Sequence, residues 1–381
     1  MIKVVEVISD TNIGGAGRLL LSRIKYSNKK RFKYIVILPK DSLLSPLLKN
    51  AGASIIEIEG CRDKSFDLKV IISLYKTIKF ISPSIVNSHA CISARIASKL
   101  AGVRVNLYTR HCAFPIKSIY LLPFVKRISG FINSYLSDGV IAVSNSAREN
   151  LLQLGINDKK IKVIINGAEK LSALPTEEKK KIKAGLKIPA ESIVVSIFAR
   201  LESYKDHKTF LRASNVLKNN ENIHFLVVGT GSLDKSLREY AQKIGVKESV
   251  RFLGFVDDVS NIMNITDINV NCSIGTETSC LALSEGMSLG IPAIASDYSG
   301  NKYIVKNKVN GLIFSQKDHI ALAKSILLLV NDKKLYSYLS QNAKNRFINE
   351  LNAERMTFET ERYYLSMLKK KKLSIYLNKL S

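Results

Sequence analysis

The chain of 381 residues is poor in cysteine and has no long uncharged apolar run. Its five cysteines are odd in number and none forms a Cys-x-x-Cys pair, so neither a disulfide framework nor a structural zinc site is expected. Without about 18 consecutive apolar residues, no helix is expected to span a bilayer. The first residues, Met1 to Ser9, lack the basic and long apolar regions of a signal peptide. We therefore expect a chain that stays in the cytoplasm or on the cytoplasmic face of a membrane.

Acidic residues are also scarce. The chain has 58 Lys and Arg against 32 Asp and Glu, which gives a formal net charge of +26, and residues 1–170 hold 27 of the cations but only 11 of the acids. Such a field attracts nucleic acid, anionic lipid or phosphorylated substrates. A genome that favours lysine codons would give the same excess, so composition alone does not choose among these partners.

Short apolar runs alternate with segments of helical periodicity, a rhythm that predicts parallel sheets with helical crossovers. The rhythm restarts after residues 171–190, where Pro175, Gly185 and Pro189 indicate a linker. We expect a Rossmann-like domain at 1–172, a second at 173–355 and a C-terminal helix with a basic tail at 356–381. A long helical tail is predicted from about Leu335 to Leu368. The expected strands are Ile2–Ile8, Tyr34–Leu38, Ser54–Ile58, Ile85–Asn87, Val103–Tyr108, Gly139–Val143, Ile193–Phe198, His224–Val228, Val250–Phe252, Ile268–Asn271 and Pro292–Ser296.

The fold class is therefore α/β, with two doubly wound parallel-sheet domains that we expect to face each other across a deep cleft. Ligands of such sheets bind outside the carboxyl ends of the strands. Two such sheets predict one ligand on each, an arrangement typical of a two-substrate transferase.

The first expected strand is followed by a glycine loop. Gly15 and Gly17 give half of a dinucleotide fingerprint, but the third glycine is replaced by Leu20, so a nicotinamide cofactor is not indicated. The loop can bring backbone amides to an anion at a helix N-terminus, or it can simply let the helix pack closely on the strand.

Two cations follow the first strand of the second half. Arg200 stands at the strand end and Lys205 in the next loop, where a diphosphate would fit, although a charged surface loop would look the same. Gly229 lies in another strand–glycine–helix turn. Phe255 and Val256 follow a further strand, where they could flank a nucleobase or belong to an ordinary turn.

Two glutamates eight positions apart are the most distinctive pattern. If one helix carried both Glu277 and Glu285, they would share a face about 12 Å apart along its axis. The first would lie in the first helical turn and the second in an apolar stretch that requires hydrogen-bond donors. They could bind hydroxyl groups at two ends of a long ligand, or act as a helix cap and a paired buried acid.

The order of these motifs resembles the retaining GT-B glycosyltransferases of family 4, also called glycosyl transferases group 1. The similarity covers about residues 4–315. It rests on Gly14-Gly15-Ala16-Gly17-Arg18, Val143-Ser144-Asn145-Ser146, Ile165-Asn166-Gly167-Ala168, Arg200-Leu201 with Lys205, Glu277-x7-Glu285, Gly290–Asp297 and Asn310–Phe314. The chain departs from the family at Ala199, Ser279-Cys280 and Tyr303, which leaves the sugar unidentified.

The resemblance implies a role for each motif in binding the donor. Arg200 and Lys205 would hold the diphosphate of a nucleotide sugar, Glu285 the ribose, and Glu277 the transferred sugar. The amides of Cys280 and Leu281 would meet phosphate at a helix N-terminus.

Other residues would complete the donor and acceptor sites. The donor set also includes Gly229, Phe255, Val256 and Ser279. Gly14 and Gly15 would close over donor and acceptor, and the acceptor would also meet Arg18 and Asn166. His111, after an expected strand, would lie near the transferred sugar, although an isolated histidine is often structural.

The resemblance also implies transfer with retention of configuration, with a UDP-sugar as the expected donor. Arg200, Lys205 and helix-terminal amides would stabilise the departing diphosphate. No Asp-x-Asp motif stands at a strand end, so we expect no metal and no other cofactor. The acceptor is expected to be a glycan or polyprenyl-diphosphate-linked sugar of a surface polysaccharide such as O-antigen, capsule or exopolysaccharide.

Residues 114–136 alternate aromatic, aliphatic and cationic side chains and predict a peripheral contact with the anionic inner face of the cell membrane, unless this segment is buried. The tail Lys369–Lys372 could add to that contact or be a frayed end. Other functions remain open: a nucleotide-sugar epimerase, a phosphorylase, or a non-catalytic protein that binds membranes or nucleic acid. Scattered cations without a nucleic-acid motif disfavour the last partner.

Overall fold

The computed structural model describes residues 1–11, 13–61, 66–89, 91–113, 116–276 and 278–377. It contains two compact units, Met1–Gly167 with Ala353–Ser381, and Ala168–Asn352. The expected domain boundaries fell a few residues beyond these divisions. The C-terminal segment, which we expected to be separate, is part of the first unit.

The first unit contains a seven-stranded parallel sheet in the order β3-β2-β1-β4-β5-β6-β7. Its apolar strands have helices on their faces, and the buried residues between them form the core. The strands are β1 Ile2–Ile8, β2 Phe32–Pro39, β3 Ser54–Ile58, β4 Ile85–His89, β5 Val105–Arg110, β6 Gly139–Ala142 and β7 Ile161–Val163. The helices are α1 Gly15–Lys25, α2 Leu44–Asn50, α3 Leu68–Ile81, α4 Ile92–Leu100, α5 Pro123–Leu136 and α6 Asn145–Gln153, with 3-10 turns at Ser118–Leu121 and Asp158–Lys160.

The second unit contains a six-stranded parallel sheet in the order β10-β9-β8-β11-β12-β13. The strands are β8 Ile193–Phe198, β9 Ile223–Val228, β10 Val250–Gly254, β11 Ile268–Asn271, β12 Ala293–Ser296 and β13 Gly311–Phe314. The helices are α7 Thr176–Gly185, α8 His207–Val216, α9 Asp234–Lys243, α10 Ser260–Asn264, α11 Leu281–Ser288, α12 Ser299–Ile304, α13 His319–Asn331 and α14 Lys333–Arg346, with 3-10 residues Ser203–Lys205. The two-domain α/β fold is thus confirmed. The strands β7 and β13 were not expected.

The predicted helical tail is present, and it is divided into three segments. α14 ends at Arg346, a π-helical turn covers Phe347–Leu351, and α15 runs from Ala353 to Leu377. Asn352 between them is extended, with φ −89° and ψ 154°, and its side-chain amide donates to the carbonyl oxygen of Ile348 at 2.6 Å. This hydrogen bond uses a carbonyl that a continuous helix would need, so the helix stops there. α15 then packs on α1 within the first unit.

Candidate functional site

The second unit collects the expected donor residues where its strand order reverses, beside β8. Arg200 follows this strand and is exposed, and its guanidinium donates a hydrogen bond to the Tyr204 hydroxyl at 2.6 Å. The Lys205 ammonium lies 5.6 Å from the centre of the same ring. Tyr204, which the sequence did not single out, therefore holds the two cations on one side of the loop.

The loop after β9 packs directly on the loop after β8. Gly229 has φ +137°, and a Cβ atom at this position would come within 2.2 Å of the Ala199 carbonyl oxygen. The Glu202 carboxylate accepts hydrogen bonds from the amide and hydroxyl of Ser232, at 3.1 and 2.8 Å. Gly229 therefore has a structural reason to be glycine, in addition to its expected place at the donor site.

The loop between β11 and α11 completes this edge of the sheet. The amide of Ile274 donates to the Tyr204 carbonyl oxygen at 2.8 Å, which joins this loop to the one with the cations. Cys280 is the N-cap residue of α11, and its sulfur accepts a hydrogen bond from the Asn271 side chain at 3.0 Å. The expected helix N-terminus at Cys280 and Leu281 is therefore present.

The shared helix of the two glutamates was a wrong expectation. α11 begins only at Leu281, because Thr276 has φ +52° and Cys280 is extended, with ψ 101°. Glu285 lies in the second turn of α11 and is half-buried. Because α11 begins after position 277, the expected spacing of the two glutamates along one helix does not apply. Position 277 itself lies outside the described residues.

The N-terminus of α11 offers hydrogen-bond donors. The side chain of the N-cap residue Cys280 makes no capping hydrogen bond, and the amides of a first helical turn lack intrahelical acceptors. The Ser279 hydroxyl beside it is buried and makes no hydrogen bond within the described chain. First-turn amides, a hydroxyl and the helix dipole together favour a phosphate group.

An exposed aromatic ring stands at the end of β10. Phe255 is 68% exposed and follows Gly254, which has φ +71° and accepts a hydrogen bond from the Gly229 amide at 2.8 Å. The neighbouring Val256 is half-buried against the core of the second unit. The exposed ring could stack on a flat base, while Val256 fixes the loop that carries it.

The first unit places its expected residues around the carboxyl ends of its strands. Gly14 is the N-cap of α1, and no atom lies within 4 Å of a Cβ built on Gly15, so the backbone there is open. Arg18 is half-buried in the first turn of α1. Asn166 is buried, and its amide donates to the Val143 carbonyl oxygen at 3.2 Å, which places it beside the end of β6.

A buried polar cluster, which sequence reasoning missed, lies under the first sheet's carboxyl edge. The Glu6 carboxylate accepts hydrogen bonds from Arg23 at 3.1 Å, Asn87 at 2.7 Å, His89 at 2.8 Å and Tyr364 at 2.8 Å. Burial alone would raise the pKa of Glu6, but the Arg23 charge and the His89 hydrogen bond lower it to about 2. Glu6 is therefore a carboxylate at neutral pH.

His111 joins this cluster through His89. Its Nε2 atom lies 2.6 Å from His89 Nδ1, while His89 Nε2 contacts the Glu6 carboxylate. Burial, with His89 and Arg23 nearby, holds the pKa of His111 well below its usual value. The expected functional histidine is thus the neutral end of a chain of three side chains, and its Nδ1 atom is buried.

Two signals in the sequence could have revealed this cluster. Glu6 is a lone acid in the apolar strand β1, and a buried charge requires partners. The second signal is the polar run Asn87, Ser88 and His89 directly after the apolar start of β4. The strand extends through Ser88 and His89, beyond the expected end at Asn87, and all of its residues are buried. The partners Arg23 and Tyr364 come from distant helices and leave no local pattern.

Among the described residues, no group of three or more His, Cys, Asp or Glu side chains is arranged to hold a metal ion. The expectation of a metal-independent reaction stays a prediction. None of the helices in the described ranges is long and apolar enough to cross a membrane.

The chain matches two family descriptions, one for each half. Glycosyltransferase Family 4 matches residues 13–169, and Glycosyl transferases group 1 matches residues 178–346. The UDP-Gal:alpha-D-GlcNAc-diphosphoundecaprenol alpha-1,3-galactosyltransferase of Escherichia coli is 27% identical over 96% of this chain and 97% of its own. The GalNAc-alpha-(1->4)-GalNAc-alpha-(1->3)-diNAcBac-PP-undecaprenol alpha-1,4-N-acetyl-D-galactosaminyltransferase of Campylobacter jejuni is 26% identical over 91% of this chain and 94% of its own.

Solved structures share the fold. Anabaena HepE in complex with UDP and glucose has a TM-score of 0.83 at 19% identity, over 96% of this chain and 100% of that one. A glycosyltransferase from Rickettsia africae has a TM-score of 0.84 at 22% identity, over 97% of this chain and 99% of that one. At these identities the likeness concerns the fold.

Proposed function

The chain belongs to the group 1 glycosyltransferases, and from that premise we propose that it transfers a hexose or N-acetylhexosamine from a UDP-sugar to a lipid-linked glycan. The observation that carries this proposal is the edge of the second sheet, where Arg200, Lys205 and the N-terminus of α11 lie on adjoining loops. Fixed cations and amides stabilise the charge that builds up on a departing diphosphate. We propose that this transfer is a step in the assembly of a surface polysaccharide.

The proposed donor site assigns one part of the nucleotide sugar to each loop. The diphosphate meets Arg200, Lys205 and the amides of Cys280 and Leu281, with the Ser279 hydroxyl as a further donor. Glu285 accepts from the ribose hydroxyls, and Phe255 stacks on the base beside Val256 and Gly229. Glu277, which lies outside the described residues, is proposed to bind the transferred sugar.

The proposed reaction retains the anomeric configuration and uses no metal. The bond between the anomeric carbon and the diphosphate oxygen breaks, and its electron pair stays on the diphosphate. The acceptor oxygen bonds to the same face of the sugar, and its proton passes to a phosphate oxygen of the leaving group. The cations of the donor site supply the positive charge that a metal would otherwise provide.

The first unit is proposed to bind the acceptor, with Gly14, Gly15, Arg18 and Asn166 around the ends of its strands and His111 near the reacting hydroxyls. Two relatives with lipid-linked substrates in their names, one from Escherichia coli and one from Campylobacter jejuni, support a polyprenyl-diphosphate acceptor for this chain too. Such an acceptor lies in a membrane, so the enzyme is proposed to work peripherally on its cytoplasmic face.

Helix α5 supports this membrane contact because its apolar side faces solvent. Five large side chains spaced along one face are exposed. They are Phe124, Ile128, Phe131, Ile132 and Tyr135, and we call them the α5 apolar face. The preceding turn adds exposed Ile119 and Leu121, while Lys126 and Arg127 provide exposed cations.

The opposite side of α5 attaches to the first unit through polar and glycine contacts. A Cβ on Gly130 would come within 2.1 Å of the Gly155 carbonyl oxygen, so the helix backbone lies directly on that turn. The Arg95 guanidinium donates to the Asn133 side chain at 2.9 Å and to Ser137 at 3.0 Å. An apolar face with flanking cations, held outward in this way, fits an anionic lipid surface.

The donor proposal is tested by a screen of UDP- and GDP-sugars, with thermal shift and slow hydrolysis to free nucleotide as readouts. We expect one donor to stabilise the protein and to be hydrolysed, and Lys205→Ala to lose both effects. Lys235→Ala, which removes an exposed cation on α9, is the matched control. No response to any donor would reject the proposal, and turnover of a donor to an isomeric sugar nucleotide without an acceptor would favour an epimerase.

The membrane proposal is tested by co-sedimentation with vesicles that contain phosphatidylglycerol. Replacing Phe124 and Phe131 together by Ser is expected to weaken binding at least about tenfold, because two large apolar side chains no longer insert. The control is Phe80→Ser, because this phenylalanine on α3 of the same unit is 92% exposed. Equal binding by both variants, or no binding by the unaltered protein at low salt, would reject a membrane role for the α5 apolar face.

A further inference from the structure

Three buried side chains hold the loop between β11 and α11 in the second unit. Asn271 ends β11, Ser296 ends the neighbouring strand β12, and Asn301 lies in α12. None of these three residues is more than 3% exposed. The loop leads to the first-turn amides of α11 that are proposed to meet the diphosphate. Contacts that hold the loop therefore also set the geometry of the proposed donor site.

Asn271 contacts both ends of this loop. Its Oδ1 atom accepts a hydrogen bond from the backbone amide of Ser273 at 2.9 Å. A backbone amide can only donate, so this contact fixes which way the side-chain amide of Asn271 faces. Its Nδ2 atom then faces Cys280, whose sulfur accepts at 3.0 Å. One side chain thus joins the start of the loop to the N-cap of α11.

Asn301 holds Asn271 in turn. Its Nδ2 atom donates to Asn271 Oδ1 at 3.1 Å, and to the hydroxyl and carbonyl oxygens of Ser296 at 2.9 and 3.3 Å. A carbonyl oxygen can only accept, so the direction of this amide is fixed as well. The Asn301 Oδ1 atom is buried and makes no hydrogen bond within the described residues. Such an atom lowers stability, so folding alone does not explain an asparagine here.

Ser296 and Asn269 add two further attachments. The Ser296 hydroxyl donates to the carbonyl oxygen of Ser273, so Ser273 is held through both of its backbone groups. Asn269 lies two positions before Asn271 in β11, on the same side of the strand. Its side chain donates to the carbonyl oxygen of Ala282 in the first turn of α11, at 2.8 Å. Two points of contact with one strand fix the direction of the helix as well as its start.

The side chain of Cys280 contributes to this attachment without capping its own helix. Ser, Thr, Asp or Asn at an N-cap commonly accept a hydrogen bond from an amide of the first turn. The Cys280 side chain makes no such bond, and its sulfur contacts Asn271. The helix start is therefore held by a contact that does not use its first-turn amides.

We propose that Asn271 and Asn301 are positioning residues that hold the start of α11 in place for the diphosphate of the donor. The identity of this ligand rests on the proposed glycosyl transfer, whereas the holding of the loop does not. The same loop meets the loop that carries the cations, through the hydrogen bond from the Ile274 amide to the Tyr204 carbonyl oxygen. Amides and cations at a fixed spacing stabilise charge without having to rearrange when it develops.

The first test compares the affinities of UDP and uridine in NMR titrations. Uridine has the base and ribose of UDP but no phosphate, so the ratio of the two affinities reports the diphosphate site. Asn301→Leu removes the amide at similar shape and should lower this ratio about tenfold, the scale of one hydrogen bond to a charged group. Partial unfolding would weaken both ligands by the same factor and leave the ratio unchanged. An unchanged ratio in folded Asn301→Leu would overturn the proposal.

Asn264→Leu is the matched control. Asn264 is a buried asparagine of the same unit, in α10, and its side chain donates to the carbonyl oxygens of Ser172 and Ser260 at 2.9 and 3.1 Å. Its replacement should lower the stability of the unit but keep the ratio of UDP to uridine affinity. If this control lowered the ratio as much as Asn301→Leu, general loosening would be the cause and the positioning role would be rejected.

Ser296→Ala provides a second variant in case Asn301→Leu does not fold. It removes one hydroxyl, and with it the contacts to Asn301 and to the Ser273 carbonyl oxygen. The ratio should fall about threefold, less than in Asn301→Leu, because the contact between the two asparagines remains. An unaltered ratio in folded Ser296→Ala would count against the line of contacts as a positioning device and overturn it.

Hydrogen exchange without ligand tests the holding of the loop by itself. The Ile274 amide bonds to the Tyr204 carbonyl oxygen and the Ser284 amide to that of Cys280, one at each end of the loop. Both amides should exchange about tenfold faster in Asn301→Leu, whereas Asn264→Leu should not single them out. Equal exchange in Asn301→Leu and the unaltered protein would overturn the proposal. If the unaltered protein bound UDP no better than uridine, the proposed function would fail instead, and exchange would still decide whether the asparagines hold the loop.

Discussion

The two units hold polar groups at the same place in their sheets, beside the first strand, but they build these places differently. In the first unit the groups are buried side chains, with Glu6 contacting Arg23, His89 and Tyr364. In the second unit they are the exposed Arg200, the half-buried Lys205 and backbone amides on loops shaped by glycine. Substitutions in the buried cluster of the first unit should therefore lower the stability of that unit. Substitution of Arg200 or Lys205 in the second unit should leave its fold intact.

Removing a charge from the buried cluster should have the largest effect on stability. Arg23→Met leaves the Glu6 carboxylate buried without its counter-charge and should cost the first unit about 3–5 kcal/mol. Hydrogen exchange of β1 amides measures this loss within the unit. Arg148→Met, which breaks an exposed pair with Asp158, should change stability by at most about 1 kcal/mol. Equal effects of the two variants would contradict the comparison.

A carboxylate in the second unit, Glu285, should have its largest effect on transfer. Glu285→Ala is expected to slow transfer at least about hundredfold, which corresponds to about 2.7 kcal/mol of lost transition-state contact. Initial rates with saturating acceptor measure this effect. Glu239→Ala, at an exposed position on α9, is the control and should keep its rate. Near-normal turnover by Glu285→Ala would remove this residue from the donor site.

An added methyl group should destabilise the protein at one glycine of the second unit but not at one glycine of the first. Gly229→Ala should destabilise the second unit by about 2 kcal/mol, because its φ of +137° and the nearby Ala199 carbonyl oxygen leave no room for Cβ. Gly15→Ala should leave the first unit as stable as before, since its Cβ meets open space, and should lower transfer only if substrate approaches there. Thermal unfolding of both variants, followed with hydrogen exchange, checks the contrast.

Acidification should produce the smallest of these effects. Burial, with Lys205 nearby, lowers the pKa of His207 from 6.5 to about 4, and the pKa of His111 is lowered in the same direction. The unfolded chain therefore binds protons that the folded chain resists, and the free energy of unfolding should fall in both units between pH 7 and pH 5, by about 1–2 kcal/mol in the second unit. Glu6, with a pKa of about 2, stays ionised in the folded chain over this range and adds little to the slope, because the carboxyl in the unfolded chain begins to bind protons only near pH 5.

His207 provides a clean variant for this measurement. Neither of its ring nitrogens makes a hydrogen bond within the described residues, so His207→Phe removes a titrating group without removing a partner. Hydrogen exchange in the second unit should then lose most of its dependence on pH, while the first unit keeps its own. An unchanged slope in the second unit would show that other groups cause it.

The same contrast explains what the sequence could predict. Arg200 and Lys205 follow a strand end, so local pattern alone suggested them as a diphosphate site, whereas Cys280 and Leu281 were implied by the family resemblance, and all four roles stay predictions. The fold followed from apolar periodicity, and β1 and β8 were predicted to the residue.

The remaining features depend on contacts between distant parts of the chain. The partners of Glu6 are brought together only by the sheet, and Tyr364 is 358 positions away. The start of α11 was misplaced because helical periodicity does not encode the left-handed conformation of Thr276. The break at Asn352 depends on one side-chain hydrogen bond, which composition does not reveal.

Because α15 packs in the first unit, the first unit cannot be completed until the end of the chain has been synthesised. Glu6 is among the first residues to be made, but Tyr364, which closes its hydrogen-bond shell, emerges near the end of synthesis. The second unit is an insertion that can fold as soon as its own residues have emerged. A nascent chain that stops before Ala353 would therefore carry a finished second unit and an incomplete first one, with the α1 surface uncovered for chaperones and proteases.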